Sequence, residues 1–215
     1  MEATFCFIDI AGFTALTETH GASTAADLVE RFVAIAEDAL QRQGSIVDRA
    51  GDALFVITPQ PDQAVGFVSR LVARALGEAD FPMLRAGLHF GEAIKRADSY
   101  FGPDVNLAAR VSAKATGGQV LATDRVAKVA RTQFGIAVSS MGLVALRNIV
   151  KPVELFSLAL SPEQESVVID PVCRMRVSPA AAPGRLRFGD RDFWFCSLDC
   201  ASRFAATPEV FINLL

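Results

Sequence analysis

The alternation of apolar and polar positions changes period along the chain, and each change marks an element. Thr4 to Ile10 alternates around β-branched and aromatic residues, which predicts a strand. Ala11-Gly12-Phe13-Thr14 breaks it. From Thr24 to about Gln43 the period is helical: Leu28, Phe32, Ile35, Ala39 and Leu40 share one face, Thr24 and Asp27 have capping-box spacing, and Gly44 supplies the stop. Two short apolar runs, Ser45 to Val47 and Ala53 to Thr58, flank the polar tip Asp48-Arg49-Ala50-Gly51-Asp52 and predict a hairpin. A second helix is expected from Pro61 to about Leu76, with proline in its first turn. Met83 to Phe90 reads as a strand, Asp104 to about Thr116 as a helix, Val120 to Ala122 as a strand and Asp124 to Arg131 as a short helix. Phe134 to Val138 and Val144 to Leu160 are expected to close the domain with strands.

The order β-α-β-β-α-β-α-β mixes antiparallel and crossover connections. It suits an α+β domain with helices over one sheet. Ser161-Pro162-Glu163-Gln164-Glu165-Ser166 is polar and contains proline, so a linker is placed at 161–166, between a domain at 1–160 and a remainder at 167–215. A remainder of that size rarely buries enough core to fold alone and is expected to carry a staple.

Composition narrows the class. The 215 residues are 51% hydrophobic and 21% charged, which excludes a disordered chain. A net charge of -3 leaves no basic excess to track nucleic-acid phosphates. No apolar run approaches the roughly 18 residues of a membrane span, and Met1-Glu2-Ala3-Thr4 lacks the basic start of a signal peptide. A soluble cytoplasmic protein with no membrane partner is expected. The first strand begins almost at Met1, so regulation within this chain is expected from its C-terminal end.

Three features of the larger domain carry chemistry together. Asp9 ends the first strand and leads into a glycine-containing turn. Asp52 stands at the hairpin tip. Asn106 and Arg110 lie i, i+4 on one helix face. Carboxylates at adjacent strand ends can hold hard divalent cations. A turn aiming N–H groups at the same place favours an anion such as a triphosphate. Cations, an anion cradle and an arginine together describe phosphoryl or nucleotidyl transfer. His89, within an apolar strand, reads as a core or interface residue, His20 before Gly21 as a loop residue, and Cys6 as a small buried hydrophobe.

These segments resemble the class III adenylate/guanylate cyclase catalytic domain over about residues 1–160. Phe7-Ile8-Asp9-Ile10-Ala11-Gly12-Phe13-Thr14 is similar to its opening motif, and Gly51-Asp52 to its second metal-binding motif. Tyr100 to Arg110 is similar to its transition-state helix. The resemblance implies a ferredoxin-like α+β domain whose antiparallel-rich sheet is covered by helices. It implies two Mg²⁺ or Mn²⁺ ions held by Asp9, Asp52 and the Ile10 carbonyl, and a polyphosphate on the turn of Ala11, Gly12, Phe13 and Thr14. It further implies that Arg110 stabilises the α-phosphate in the transition state and that Asn106 holds the ribose. A homodimer is implied, each site taking its aspartates from one chain and Asn106 and Arg110 from the other. Lys151 or Arg147 would clamp the triphosphate. The reaction implied is ATP, and less favourably GTP, to 3′,5′-cyclic nucleotide and pyrophosphate.

Two base-reading positions depart from the family. The usual lysine falls at Asp48, where a carboxylate cannot donate to a purine acceptor. The second position falls at uncharged Ser99. Losing one such contact costs roughly 1–3 kcal/mol, so slower or less selective turnover is expected rather than none. The same departures leave open a degenerate domain that binds nucleotide or dimerises without turnover.

Three of the four cysteines, Cys173, Cys196 and Cys200, fall in the C-terminal remainder. Cys196 and Cys200 share a face at an expected helix start, and Cys173 sits on an earlier turn. Three thiolates suit Zn²⁺ or Cu⁺. Asp170-Pro171-Val172-Cys173, Phe195-Cys196-Ser197, Cys200, Phe204, Pro208 and Phe211 resemble the YHS family, which is related to metal-responsive TRASH domains. The resemblance implies a small metal-binding module, with Arg174 where the family usually has glycine. A metal-binding regulator with the larger domain as its dimerisation scaffold is a further alternative.

Overall fold

The computed structural model describes residues 1–160 and 167–212; the expected linker, 161–166, lies outside the described residues. Strand β1 (Glu2–Ile10) leads into helix α1 (Phe13–Leu40), then β2 (Ser45–Ala50), β3 (Ala53–Thr58) and α2 (Pro61–Gly77). Strand β4 (Leu84–Glu92) follows, then a small hairpin of β5 (Ile94–Arg96) and β6 (Ser99–Phe101). Helix α3 (Pro103–Lys114), β7 (Val120–Ala122), α4 (Asp124–Phe134), β8 (Val138–Val144) and β9 (Val153–Leu158) complete the larger unit. The C-terminal module holds β10 (Val168–Ile169), β11 (Arg176–Val177), β12 (Gly184–Phe188), β13 (Arg191–Phe195), α5 (Leu198–Ala206) and α6 (Pro208–Ile212).

Seven strands form one sheet in the order β2-β3-β1-β4-β7-β9-β8, and only β4 and β7 run parallel. This is the expected antiparallel-rich α+β sheet. Alternation along β1 decides its two faces. Cys6, Ile8 and Ile10 point into a core shared with α1, α2 and α4. Ala3 and Phe5 belong to a second core with Val105 and Ala108 of α3. Phe7 packs on that second core and stacks on Phe55, with ring centroids 4.4 Å apart. Cys6 is fully buried, as its setting in an apolar strand predicts.

Several boundaries differ from the sequence reading. The helix expected from about Thr24 follows Gly21, and an unexpected helical segment precedes it from Phe13, because Gly12 takes φ 78 and turns the chain straight into it. Gly21, at φ 84 and ψ 167, is not helical, so α1 is two helical segments joined across a kink. His20 therefore lies on a kinked helix rather than in a loop. Phe134 belongs to α4, which ends at Gly135 with φ 64. The last two strands are Val138–Val144 and Val153–Leu158, since Leu146 is buried in the connecting loop and Asn148 turns at φ 62. The β5–β6 hairpin has strands of three residues each, too short to show a period.

Helix α3 is set against β4 by close backbone approach. A Cβ on Gly87 would overlap the backbone of Val111 and Ser112, and one on Gly91 would overlap the Asp104 carboxylate. Asp104 Oδ2 accepts from the Glu92 N–H at 2.6 Å, and Asp104 Oδ1 lies 3.4 Å from His89 Nε2. His89 Nδ1 meets Thr123 Oγ1 at 2.8 Å.

The module docks on the larger unit through Arg176. Its guanidinium donates to the carbonyls of Phe81, Leu76, Ala75 and Glu78 at 2.7–3.1 Å, so it caps the C-terminal end of α2. Val172, Met175, Phe193, Phe195 and Phe204 join the same apolar cluster as Phe32 and Phe67.

Two outcomes follow from this packing. Gly87→Ala is expected to lower stability by about 1–3 kcal/mol, read from denaturant melts, because an added methyl forces α3 off the sheet. Burial holds the His89 imidazole below its ordinary value, against the pull of Asp104. As pH falls through about 6.5 the unfolded chain takes up this proton before the folded one does, so stability falls with pH. Melts from pH 7.5 to 5.5 should show that slope, and His89→Gln should flatten it.

Candidate active site and a cysteine–histidine cluster

Antiparallel pairing brings the first site together. Asp9 lies opposite Ala53 on one side and Arg85 on the other. Asp52 is the residue before Ala53, and its carbonyl accepts from the Ile10 N–H at 3.3 Å. The two expected carboxylates are thus held at adjacent strand ends. Burial pushes the Asp52 carboxyl above its ordinary value, and neighbouring Asp9 pushes the same way. Arg85 Nε donates to Asp9 Oδ1 at 2.5 Å and holds the pair electrostatically. Two carboxylates and the Ile10 carbonyl are hard oxygen donors, which is the chemistry a divalent ion such as Mg²⁺ takes. Arg85 has no role in the sequence reading, because only cross-strand register reveals it.

The turn after Asp9 divides its N–H groups. The Ala11 N–H is committed to the Met83 carbonyl at 2.8 Å. Within α1 the first intrahelical bond runs from Leu16 N–H to the Gly12 carbonyl, so the Phe13 and Thr14 N–H groups are free of the helix. No side chain among the described residues caps this end. Uncapped N–H groups at a helix start can receive an anion. A cavity of about 610 Å³ beside it is lined by Ala11, Gly12, Arg85, Lys114 and Arg174. Arg174 comes from the C-terminal module. Its side chain packs on Gly12, where a Cβ would overlap it, and its Nη1 is buried without a partner among the described residues.

Asn106 and Arg110 lie together on α3, as their spacing predicts, but elsewhere. They line a separate cleft of about 650 Å³ with Tyr100, Phe101, Gly102, Arg147 and Asn148. Arg147 therefore joins this pair, whereas Lys151 is exposed and is not among the lining residues. Asp48 is exposed on edge strand β2, beside a bulge, opposite Phe55. Its Oδ1 accepts from the Arg49 N–H at 2.9 Å. Arg49 points the other way, to Glu37 of α1. Ser99 is exposed at the start of β6.

The three C-terminal cysteines converge, and they bring a fourth group that sequence reasoning missed. Cys173 Sγ lies 3.3 Å from Cys196 Sγ, which lies 3.6 Å from Cys200 Sγ. His20 Nε2, from α1, lies 3.5 Å from Cys196 Sγ and 3.9 Å from Cys200 Sγ. Asp170 is buried beneath them and accepts from the N–H groups of Val172, Cys173 and Cys196 at 2.8–3.4 Å. Burial raises its carboxyl above the ordinary value. Ser197 caps α5 by accepting from the Cys200 N–H at 3.1 Å. The other sulfurs donating to it, with the Ser197 hydroxyl and His20, make Cys200 the thiol favoured as thiolate.

Comparison with known proteins bears on the family and the fold. The adenylate and guanylate cyclase catalytic domain matches residues 1–159. A pH-sensitive adenylate cyclase of Mycobacterium tuberculosis is 34% identical over 158 residues, covering 72% of this chain and 40% of the relative. An adenylate cyclase of Glutamicibacter nicotianae is 29% identical over 153 residues, covering 69% and 38%. The chain thus spans about 40% of the length of these relatives. Among solved structures, an adenylate cyclase from Trypanosoma brucei in its monomeric state superposes with a TM-score of 0.67 at 25% identity, covering 75% of this chain and 89% of that one. No described helix is long and apolar enough to cross a membrane. By its matched residues, 1–159, the chain belongs to the adenylate and guanylate cyclase catalytic-domain family.

Proposed function

We propose that residues 1–160 form a nucleotidyl cyclase that converts ATP, and less readily GTP, to 3′,5′-cyclic nucleotide and pyrophosphate. The observation that carries this reading is the meeting of Asp9, Asp52 and Arg85 beside an open helix N-terminus and a cavity lined by cations. Relatives named adenylate cyclase support ATP as the substrate. In the reaction the ribose 3′-hydroxyl gives its proton to water and its oxygen bonds to the α-phosphorus, while the bond from that phosphorus to the bridging oxygen breaks and pyrophosphate leaves.

Asp9, Asp52 and the Ile10 carbonyl would hold Mg²⁺ or Mn²⁺, which when bound supplies Lewis acidity and neutralises polyphosphate charge. The chain's own groups do the rest. The open N–H groups at Phe13 and Thr14 bind the polyphosphate. Arg85, Lys114 and Arg174 place positive charge around it. Arg110 stabilises the charge that grows on the α-phosphoryl oxygens, and Asn106 orients the ribose.

Within one chain the cleft that holds Asn106 and Arg110 includes neither Asp9 nor Asp52, and it is separate from the cavity beside the turn that follows Asp9. A homodimer resolves this by facing one chain's aspartates with its partner's helix. Exposed apolar residues support a covered surface at that cleft: Phe101, which lines it, is 55% exposed, and Val150, next to its lining residue Ile149, is 98% exposed. We read residues 167–215 as a YHS-type module after a linker at 161–166. In this reading Cys173, Cys196 and Cys200 bind Zn²⁺ or Cu⁺, and docking of the module, which sets Arg174 on Gly12, regulates the domain. A catalytically degenerate domain is the second reading, favoured by the exposed carboxylate of Asp48 at the base-reading position.

With Mn²⁺, the full-length protein is expected to form cyclic nucleotide from ATP in excess over GTP, and Asp52→Ala to form none. Absence of product from either nucleotide would favour the degenerate domain. Arg110→Ala is expected to lower kcat by about 10²–10³-fold while KM for ATP changes little, as for loss of one transition-state donor. A change confined to KM would place Arg110 in ground-state binding instead.

A further inference from the structure

Three cysteines on a small module would ordinarily leave a metal one protein ligand short of a closed tetrahedral site. Here the fourth position is filled from outside the module. The ligand atoms of His20, Cys173, Cys196 and Cys200 all lie within 4.8 Å of one another. A zinc ion with bonds of about 2.0–2.3 Å separates its tetrahedral ligands by roughly 3.5–3.8 Å. Four of the six pairs in this cluster lie at 3.3, 3.6, 3.5 and 3.9 Å, and the other two, from Cys173 to Cys200 and to His20, lie within 4.8 Å. Four of the six separations therefore lie within about 0.5 Å of those a tetrahedral zinc needs, and small side-chain adjustments would close the rest. A disulfide would use two of the sulfurs and give no role to the third or to the imidazole.

The surroundings are built for the same purpose. Asp170 fixes the backbone of both Cys173 and Cys196 through their N–H groups, and the Ser197 cap fixes Cys200. Such outer contacts hold ligands in place before a metal arrives. On the other side, Gly21 breaks α1 just after His20 with a backbone that favours glycine. Nothing lies within 4 Å of where its Cβ would be, so conformation and not crowding selects the residue. Arg176 holds the module against α2 independently of the cluster, which fixes how His20 faces the cysteines. Cys196 also lines a cavity of about 590 Å³ that opens to solvent beside the end of α2, a route of entry for an ion.

We propose that His20, Cys173, Cys196 and Cys200 form a closed four-ligand Zn²⁺ site that clasps the C-terminal module to the first helix of the cyclase domain. The proposal rests on the reading of the three cysteines as metal ligands and adds that the fourth ligand belongs to the other unit. His20 lies on the helix that opens at Gly12 beside Asp9. Metal binding thereby reaches the helix that carries the anion site.

The test uses the reduced full-length chain loaded with Zn²⁺, freed of excess ion, and titrated with a chromophoric chelator. Wild type, His20→Ala, His20→Gln and Cys196→Ser are compared, with X-ray absorption at the zinc edge. The expected result is one zinc per chain, three sulfur neighbours and an imidazole. Both His20 variants should bind at least about 10–100-fold more weakly and lose the imidazole signature, while their metal-free melts match wild type. Cys196→Ser should also lose affinity. Zinc held equally well by the His20 variants, with an unchanged spectrum, would overturn the clasp and leave a site confined to the module. Failure of the wild type to retain zinc would overturn the metal reading altogether.

Discussion

The site depends on strand β1 being paired along both edges. A strand with neighbours on either side cannot slip by one residue without turning its core face to the wrong side of the sheet. Cys6, Ile8 and Ile10 fill one core while Ala3 and Phe5 fill the other, so register is fixed from both faces. That register alone sets Asp9 between Ala53 and Arg85, next to Asp52. The Ile10–Asp52 backbone bond then ties the hairpin tip to the strand end. Two carboxylates held this close in a partly dry site need a cation. Arg85 supplies one, and a divalent ion would supply another.

How much of this was legible depended on how local each signal was. Asp9 at a strand end, Asp52 at a hairpin tip and the Asn106–Arg110 pair each announce themselves within a few residues. Arg85 does not, because its partner is 76 positions away and only register joins them. His20 is harder still. Its sulfur partners lie 176 and 180 positions on, and a histidine before a glycine reads locally as a loop. The first segment of α1 was obscured by the same glycine, whose non-helical backbone separates it from the segment that holds Leu28 and Phe32. The final strands were displaced because apolar residues at Leu146 and Phe134 serve a loop and a helix end rather than a ladder. The three-cysteine cluster was legible from spacing, and its closing ligand was not.

The C-terminal module shows how a small segment borrows stability. Its aromatic cluster of Phe193, Phe195 and Phe204 is continuous with the core of the larger unit. Arg176 gives up its solvation to satisfy carbonyls that the end of α2 leaves unpaired. Arg174, at φ 66, adopts a backbone conformation that suits glycine, and it does so directly over Gly12. Docking and active-site turn are therefore parts of one contact surface.

In the proposed homodimer a working site needs two chains, one giving Asp9 and Asp52 and the other Asn106 and Arg110. Mixing inactive Asp9→Ala with inactive Arg110→Ala tests it most directly. Random pairing makes half the dimers mixed, each with one intact site, so the account predicts about a quarter of wild-type cyclic nucleotide production. A mixture as inactive as its two components, with exchange of chains verified, would contradict it.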